Sequence, residues 1–100
     1  MYYVYILASL SGTLYVGLTD NLKRRVEERK LGIFDGFTKR YKVNRLMYFE
    51  IFREAENAGK RERQIKKYSR RKEIALFAKT NPGWEDLSKA LPKSYVEVLM

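Results

Sequence analysis

The chain of 100 residues contains no cysteine and no histidine. Without cysteine, it cannot form a disulfide, offer a thiol nucleophile or hold a cysteine-ligated zinc ion. Without histidine, it has no histidine metal ligand, and Ser-His or Cys-His catalysis is excluded. Any catalysis by this chain must therefore use tyrosine, lysine, arginine or a carboxylate, or a hard metal ion held by oxygen atoms.

Acidic residues are also scarce, since 12 Asp and Glu stand against 21 Lys and Arg, which gives a formal net charge of +9. This excess predicts a polyanionic partner, and its spread over several segments favours nucleic acid over a membrane surface. No apolar run approaches the length of a transmembrane helix, and residues 1–7 are typical of a strand rather than of a signal peptide. We therefore expect a cytoplasmic protein made of one small domain.

The apolar patterns and turn residues predict an α+β domain whose sheet has three strands. A cap at Thr19 or Asp20 is expected to start the first helix, and Leu46 and Tyr48 are expected to share one face of the third strand. The expected strands are residues 2–9, 14–19 and 45–52, and the expected helices are residues 20–31, 54–69 and 70–80, with a short helix near residues 84–91.

The first two strands are joined by a turn around Ser11 and Gly12, and its length decides their register. A two-residue turn would place Tyr5 and Tyr15 on opposite faces of the sheet, whereas a three-residue loop would place them on the same face. In the longer loop, Gly12 would take a left-handed conformation, which suits glycine. The sequence alone leaves both registers open.

Arg25 and Arg29 lie one helical turn apart beside the apolar stripe formed by Leu22 and Val26. Two like charges at this spacing repel each other, and an anion lying between them would remove the repulsion. A phosphate is the obvious anion, because the guanidinium group matches its geometry. On the polar face of the same helix we expect the ion pairs Lys23–Glu27 and Arg24–Glu28.

Glu62 falls on the apolar stripe of the second helix, between Ala58 and Ile65. A buried carboxylate is costly unless it is paired or bound to a metal ion. The alternative is that Glu62 lies at the edge of the stripe and pairs with Lys66 four residues later. Strand tyrosines such as Tyr5 have a similar alternative, because they are commonly packing residues with an exposed hydroxyl group.

Taken in order, Tyr3-Val4-Tyr5, Tyr15-Val16-Gly17, Arg25 and Glu62 resemble the GIY-YIG nuclease family. The resemblance covers about residues 2–87, so we expect a nuclease domain over residues 1–87 and an extension of unknown role over residues 88–100. It implies a three-stranded antiparallel sheet flanked by helices, and metal-dependent cleavage of phosphodiester bonds. Similarity to the small, single-domain bacterial branch of the family extends to residues 36–41, 61–66 and 81–87.

By this resemblance, Tyr5 and Tyr15 correspond to the motif tyrosines, Arg25 to the helix arginine and Glu62 to the metal-binding glutamate. Oxygen ligands favour Mg²⁺, or Mn²⁺, as the ion. Arg29 stands where many members have histidine; it can bind phosphate but cannot accept a proton at neutral pH. Expected contacts with nucleic acid come from Gly17, Lys39, Arg40, Lys66 and Asn81, although an asparagine before proline is also a natural helix stop.

The expected mechanism requires Tyr5, Tyr15, Arg25 and Glu62 to converge on one surface cleft. Arg25 would neutralise the charge of the transition state. Tyr5 or Tyr15 would orient or deprotonate water, although a free tyrosine has a pKa of about 10. Arg25, Arg29 and the metal ion would each lower that pKa.

The favoured function is a Mg²⁺-dependent DNA endonuclease that selects nicked, flapped or branched DNA and acts in DNA repair or processing. The alternative is a non-catalytic nucleic-acid-binding module on the same scaffold, in which Arg29 marks lost chemistry. A basic subunit of a larger RNA or protein assembly would explain the net charge of +9 but not the ordered Tyr-Tyr-Arg-Glu set.

Overall fold

Three strands, β1 (Tyr2–Ala8), β2 (Leu14–Thr19) and β3 (Arg45–Phe52), pair antiparallel in the order β2-β1-β3. The computed structural model describes residues 1–32 and 41–91. This architecture confirms the expected α+β class. The helices are α1 (Leu22–Lys30), α2 (Ala55–Lys66) and α3 (Arg70–Ala78), followed by a 3₁₀ helix at Leu87–Ala90.

The β1–β2 hairpin has the longer of the two loops considered above. The Ser9 N–H donates to the Thr13 carbonyl at 2.9 Å, and the Gly12 N–H donates to the Ser9 carbonyl at 3.1 Å. These bonds close a three-residue loop in which Gly12 has a φ of +93°, a conformation that favours glycine. Tyr5 and Tyr15 therefore lie on the same face of the sheet.

Each face of the sheet is covered by its own helices, because apolar residues alternate between the two sides of β1. On one face, called here the α1 face, Leu22 and Val26 of α1 pack against the sheet. On the opposite face, called the α2 face, Ala58, Ile65 and Phe77 of α2 and α3 pack against it. The β1 residues Tyr3, Tyr5 and Leu7 lie on the α1 face, and Val4, Ile6 and Ala8 lie on the α2 face.

A β-bulge in β3 overturns the prediction that Leu46 and Tyr48 share a face. Leu7 pairs with Leu46, whereas the preceding Ile6 pairs with Tyr48, so Met47 is an extra residue in β3. Leu46 consequently packs on the α1 face, whereas Met47 and Tyr48 pack on the α2 face. A local insertion of this kind leaves no mark in a two-residue periodicity.

The start of α1 differs from the prediction by one residue. Asn21, rather than Thr19 or Asp20, caps the helix, and its Oδ1 accepts a hydrogen bond from the Arg24 N–H at 3.1 Å. Thr19 instead stabilises the turn before the helix, because its hydroxyl oxygen accepts from the Asn21 N–H at 3.1 Å. The first turn of α1 is therefore tied directly to the end of β2.

Asp86 ties the 3₁₀ helix to β3 and α1. Its Oδ1 accepts from the Leu46 N–H at 3.0 Å and from the Ser88 N–H at 3.0 Å, and its Oδ2 accepts from the Lys30 ammonium group. Burial of the carboxylate by itself raises its pKa, but these hydrogen bonds outweigh burial and lower the pKa of Asp86 to about 2. The charged form of Asp86 therefore stabilises the fold.

Among residues 1–32 and 41–91, no helix combines the length and the apolar character needed to cross a membrane. Leu87 and Leu91 pack against the core of the α1 face, so the 3₁₀ helix spans the predicted boundary at residue 87. The division into a domain and an extension at that boundary stays a prediction.

We predict that acid destabilises the protein partly through Asp86. Because its pKa is lower in the folded state than the ordinary 3.8, its contribution is present above about pH 4 and is lost as the pH falls towards 2. Chemical unfolding of the parent and of Asp86→Asn should show a smaller loss of unfolding free energy in the variant across this range. Equal losses in the two proteins would contradict the role of Asp86.

Candidate active site

Tyr5 and Gly17 form the centre of the site. They are partners in the β1–β2 ladder, on the α1 face. A Cβ atom at residue 17 would lie 2.4 Å from Cζ and 2.4 Å from the hydroxyl oxygen of Tyr5. The Tyr5 ring therefore lies across the space that a side chain at position 17 would fill, and only glycine leaves that space open.

Tyr15 and Arg29 complete the surroundings of Tyr5. The ring centroids of Tyr5 and Tyr15 lie 6.5 Å apart with an angle of 45° between the ring planes. Cζ of Arg29 lies 5.2 Å from the centre of the Tyr15 ring. The Arg29 guanidinium group is also close enough to the Tyr5 hydroxyl group to act on its pKa. Arg29 thus links the two tyrosines, which the sequence had not indicated.

Arg25 lies beside the carboxylate of Glu28. Its Nε is 3.6 Å from Glu28 Oε1, and both side chains are about three-quarters buried, with exposed fractions of 28% and 25%. The expected pair Arg24–Glu28 is therefore wrong, because Glu28 turns from the polar face towards Arg25. In the protein alone, the Glu28 carboxylate is therefore the anion beside Arg25, where a phosphate was expected.

The surroundings of Tyr5 raise the pKa of its hydroxyl group, which corrects the expectation of a lowered value. Burial is the largest effect, and the side chain is only 1% exposed. Tyr15 raises the pKa further, whereas Arg29 and Arg25 lower it without outweighing the burial. In the protein alone, the Tyr5 hydroxyl group therefore keeps its proton at neutral pH.

Tyr5, Tyr15, Arg25 and Arg29 are called here the tyrosine–arginine cluster. The first two come from neighbouring strands, and the arginines come from successive turns of α1. Tyr15, Arg25 and Arg29 are half-buried, so each has a surface that solvent or a ligand can reach. The cluster presents two cations and one accessible phenol on the α1 face.

Glu62 is placed on the other side of the sheet, since it belongs to α2, which packs on the α2 face and against the edge strand β2. Its Oε2 lies 3.3 Å from Lys66 Nζ, and its side chain is 20% exposed. This pair matches the alternative position at the edge of the stripe. The expected convergence of Glu62 with the cluster would have to take place around the edge of β2, and it stays a proposal.

The donor atoms of Glu62 fit a magnesium ion. Mg²⁺ is commonly held by one or two carboxylates while water and substrate phosphate fill the remaining positions. Within the described ranges, no group of three or more His, Cys, Asp and Glu side chains is arranged to hold a metal ion. The role of Glu62 as a metal ligand stays a prediction.

Asn81 is a structural residue. Its side chain is buried, and its Nδ2 donates to the carbonyl groups of Met47 at 3.3 Å and Glu85 at 2.8 Å. Its Oδ1 accepts from the Glu85 N–H at 2.9 Å. Both amide hydrogens are occupied, which supports the interpretation as a stop after α3 and leaves Asn81 out of the proposed site.

Of the other residues predicted to contact nucleic acid, one lysine lies within the described part of the chain and two basic residues do not. Lys66 is half-exposed at the end of α2, next to Glu62. Lys39 and Arg40 lie outside the described residues.

Arg61 pairs with Glu50 of β3 through Nε–Oε1 at 2.8 Å and Nη2–Oε2 at 2.9 Å. This two-pronged ion pair fastens α2 to the sheet.

Residues 1–75 match the family model described as the GIY-YIG catalytic domain, which is a class of nucleases. The chain belongs to the GIY-YIG family, as its two tripeptide motifs had indicated. Family membership implies a nucleic-acid substrate and the use of a divalent metal ion, without specifying either.

The relatives include small bacterial proteins. The chain is 33% identical over 91 residues to a UPF0213 protein of Clostridium perfringens (strain 13 / Type A), which covers 91% of this chain and 98% of that protein. It is 38% identical over 81 residues to a UPF0213 protein of Syntrophus aciditrophicus (strain SB), covering 80% and 92%. A solution NMR structure of a UPF0213 protein from Bacillus halodurans has 31% sequence identity and a TM-score of 0.55, covering 89% of this chain and 96% of that one.

We predict that Gly17→Ala destabilises the fold by about 1–3 kcal/mol, because the new methyl group must displace the buried Tyr5 ring. Gly59→Ala is the matched control, since a Cβ there meets only the flexible end of Arg63 at 3.4 Å. In the middle of α2, that change should stabilise the protein by roughly 0.5–1 kcal/mol. Urea unfolding of both variants measures the difference, and equal stabilities would contradict the close contact of Tyr5 with Gly17.

Proposed function

We propose that the protein is a divalent-metal-dependent endonuclease that hydrolyses phosphodiester bonds in DNA. The observation that carries this proposal is the tyrosine–arginine cluster, in which two guanidinium groups and an accessible phenol surround the Tyr5–Gly17 contact. Membership of the GIY-YIG family supports the reaction class. The finer statements about the ion, the DNA and the cellular process are our own inference.

Arg25 and Arg29 bind the phosphate group that is cleaved. They project from successive turns of α1, so one phosphate can bridge them. Their charges stabilise the additional negative charge that develops on the phosphoryl oxygens in the transition state. Before the phosphate binds, the Glu28 carboxylate lies 3.6 Å from Arg25. The phosphate must therefore compete with this carboxylate for the Arg25 guanidinium group.

Tyr15 is assigned to the attacking water, because it is the half-exposed tyrosine of the pair. The water oxygen forms a bond to phosphorus and loses a proton to solvent, while the bond from phosphorus to the leaving sugar oxygen breaks and that oxygen takes up a proton from solvent. Tyr15 orients this water through its hydroxyl group. Tyr5 is buried and lies near Arg29, so its proposed role is to help position that guanidinium group.

Glu62 is assigned to the metal ion, with Mg²⁺ or Mn²⁺ as the candidates. When bound, the cation supplies charge neutralisation at a phosphate oxygen and at the leaving oxygen. The carboxylate must exchange its 3.3 Å contact with Lys66 for this ligand. Lys66 is then released towards the DNA, where it can pair with a neighbouring phosphate.

The proposed substrate is DNA recognised by its structure, with nicked, flapped or branched forms as candidates, in a cytoplasmic repair or processing reaction. A chain of 100 residues has little surface for reading bases beyond the site itself. Contacts with the phosphate backbone, which carry no sequence information, therefore dominate the proposed interaction.

A second candidate function is a nucleic-acid-binding module without catalysis. Three observations favour it: Arg29 stands where a proton acceptor is common in the family, Tyr5 has a raised pKa, and Glu62 is paired with Lys66 on the α2 face. On this alternative, the cluster binds a phosphate and leaves it intact.

We predict that Glu62→Gln slows cleavage by at least about a hundredfold, because stabilisation by a metal ion is worth several kcal/mol. DNA binding should stay the same or become tighter, since one negative charge is removed. Cleavage of nicked, flapped and branched DNA is measured with Mg²⁺, with Mn²⁺ and with EDTA. The matched control is Glu56→Gln, because Glu56 forms the same type of pair with Lys60 on α2, at 3.4 Å, but is 75% exposed. Full activity of folded Glu62→Gln would refute the metal role.

Substitution of Arg29 separates the two candidate functions. If the protein is an endonuclease, Arg29→Ala should weaken DNA binding and slow cleavage, whereas Arg29→His should leave activity similar or lower. If the protein is a binding module, the parent should be inert, and Arg29→His should raise cleavage by about 10²–10⁴-fold by restoring a proton acceptor. Such a gain, measured with the same DNA panel, would overturn the assignment of the water to Tyr15.

A further inference from the structure

A groove at the hairpin end of the sheet is not part of the tyrosine–arginine cluster. It has a volume of about 510 Å³ and lies between the β1–β2 loop, the end of α1 and residues 41–45. A neighbouring cavity of about 480 Å³ shares Arg45, Asp86 and Lys89 with it. Together they form a continuous depression, called here the basic groove.

Positive charge exceeds negative charge in the basic groove. Four cations line it, Lys30, Lys42, Arg45 and Lys89, against the two carboxylates of Glu85 and Asp86. Lys30 is paired with Asp86, whose remaining capacity is taken by backbone and serine donors. In the described part of the chain, the other three cations have no ion-pair partner, so the groove offers three charges to an anion.

Apolar and aromatic surface adjoins these charges. Tyr41 is 48% exposed and Leu10 is 87% exposed, and both line the groove. Lys42, the next residue, has a φ of 53°, in the left-handed region that residues other than glycine rarely adopt. Backbone outliers of this kind concentrate at ligand-binding positions. Charges that suit phosphates beside an open aromatic ring are the combination that binds unpaired nucleotides.

We propose that the basic groove binds a single-stranded segment of nucleic acid, with phosphates against Lys42, Arg45 and Lys89 and an unpaired base stacked on Tyr41. A duplex would keep its bases inside and could not use Tyr41. Lys30, which lines the groove, follows Arg29 directly along α1, so the groove lies near the cluster. The inference rests on the proposed nucleic-acid substrate and narrows it to DNA with an unpaired flank.

Binding is measured by fluorescence anisotropy with a labelled short oligothymidine and with a blunt duplex of equal length, in EDTA so that no cleavage occurs. The double variant Lys42→Gln/Lys89→Gln should weaken oligothymidine binding at least about tenfold at low salt. The slope of the logarithm of the binding constant against the logarithm of the salt concentration should become less steep by about 1.4. Lys67→Gln/Lys79→Gln is the matched control, since it removes two exposed charges outside the groove. Equal weakening by both double variants would overturn the proposal, because it would show a general effect of net charge.

Substitution of Tyr41 tests whether an unpaired base stacks on its ring. Tyr41→Ala should weaken oligothymidine binding by roughly five- to 150-fold, the range that loss of one stacked base gives, whereas Tyr41→Phe should keep it and duplex binding should change little. No loss with Tyr41→Ala, or an equal loss for the duplex, would overturn the proposal. Circular dichroism and thermal unfolding verify that each variant is folded. These binding measurements do not depend on cleavage. A protein that binds in the groove but never cleaves would therefore refute the proposed endonuclease activity and still support the proposed binding site in the groove.

Discussion

The contact between the Tyr5 ring and Gly17 is the constraint on which the α1 face depends. The three-residue hairpin loop sets the β1–β2 register, and that register places Tyr5 opposite the residue that has no side chain. The ring then occupies the space above Gly17, with its centroid 6.5 Å from that of Tyr15 and its hydroxyl group near Arg29. A different loop length would have sent the two tyrosines to opposite faces, and no phenolic site would exist.

We propose that the charges of the α1 face hold an anion. Among the described residues of this face, Glu28 lies beside Arg25 and Asp86 is paired with Lys30, while Arg29 lies against the Tyr15 ring. Burial meanwhile raises the pKa of the Tyr5 hydroxyl group. We propose that these charges bind a phosphate group, and the proposed hydrolysis depends in addition on Tyr15 and on Glu62, which lies on the other side of the sheet.

The position of Glu62 is controlled from the α2 face. The neighbouring Arg61 makes two hydrogen bonds to Glu50 of β3, at 2.8 and 2.9 Å, and Ile65 is buried in the core. These contacts fix the rotation of α2 about its axis and leave Glu62 at the edge of the buried stripe with Lys66. A metal ion held there would reach the cluster only around the edge strand β2, which makes that edge the critical part of the proposed mechanism.

The sequence by itself determined the three strands, the approximate helices, the apolar stripe of α1 beside Arg25 and Arg29, and the family. These features follow from periodicity and ordered motifs, which are local properties of the chain. Only the tertiary structure decided the hairpin register, the bulge at Met47, the turn of Glu28 towards Arg25 and the pairing of Arg61 with Glu50. The same holds for the basic groove, whose cations come from separate elements. Such features depend on contacts between distant residues and on burial, and a pattern along the chain carries no information about either.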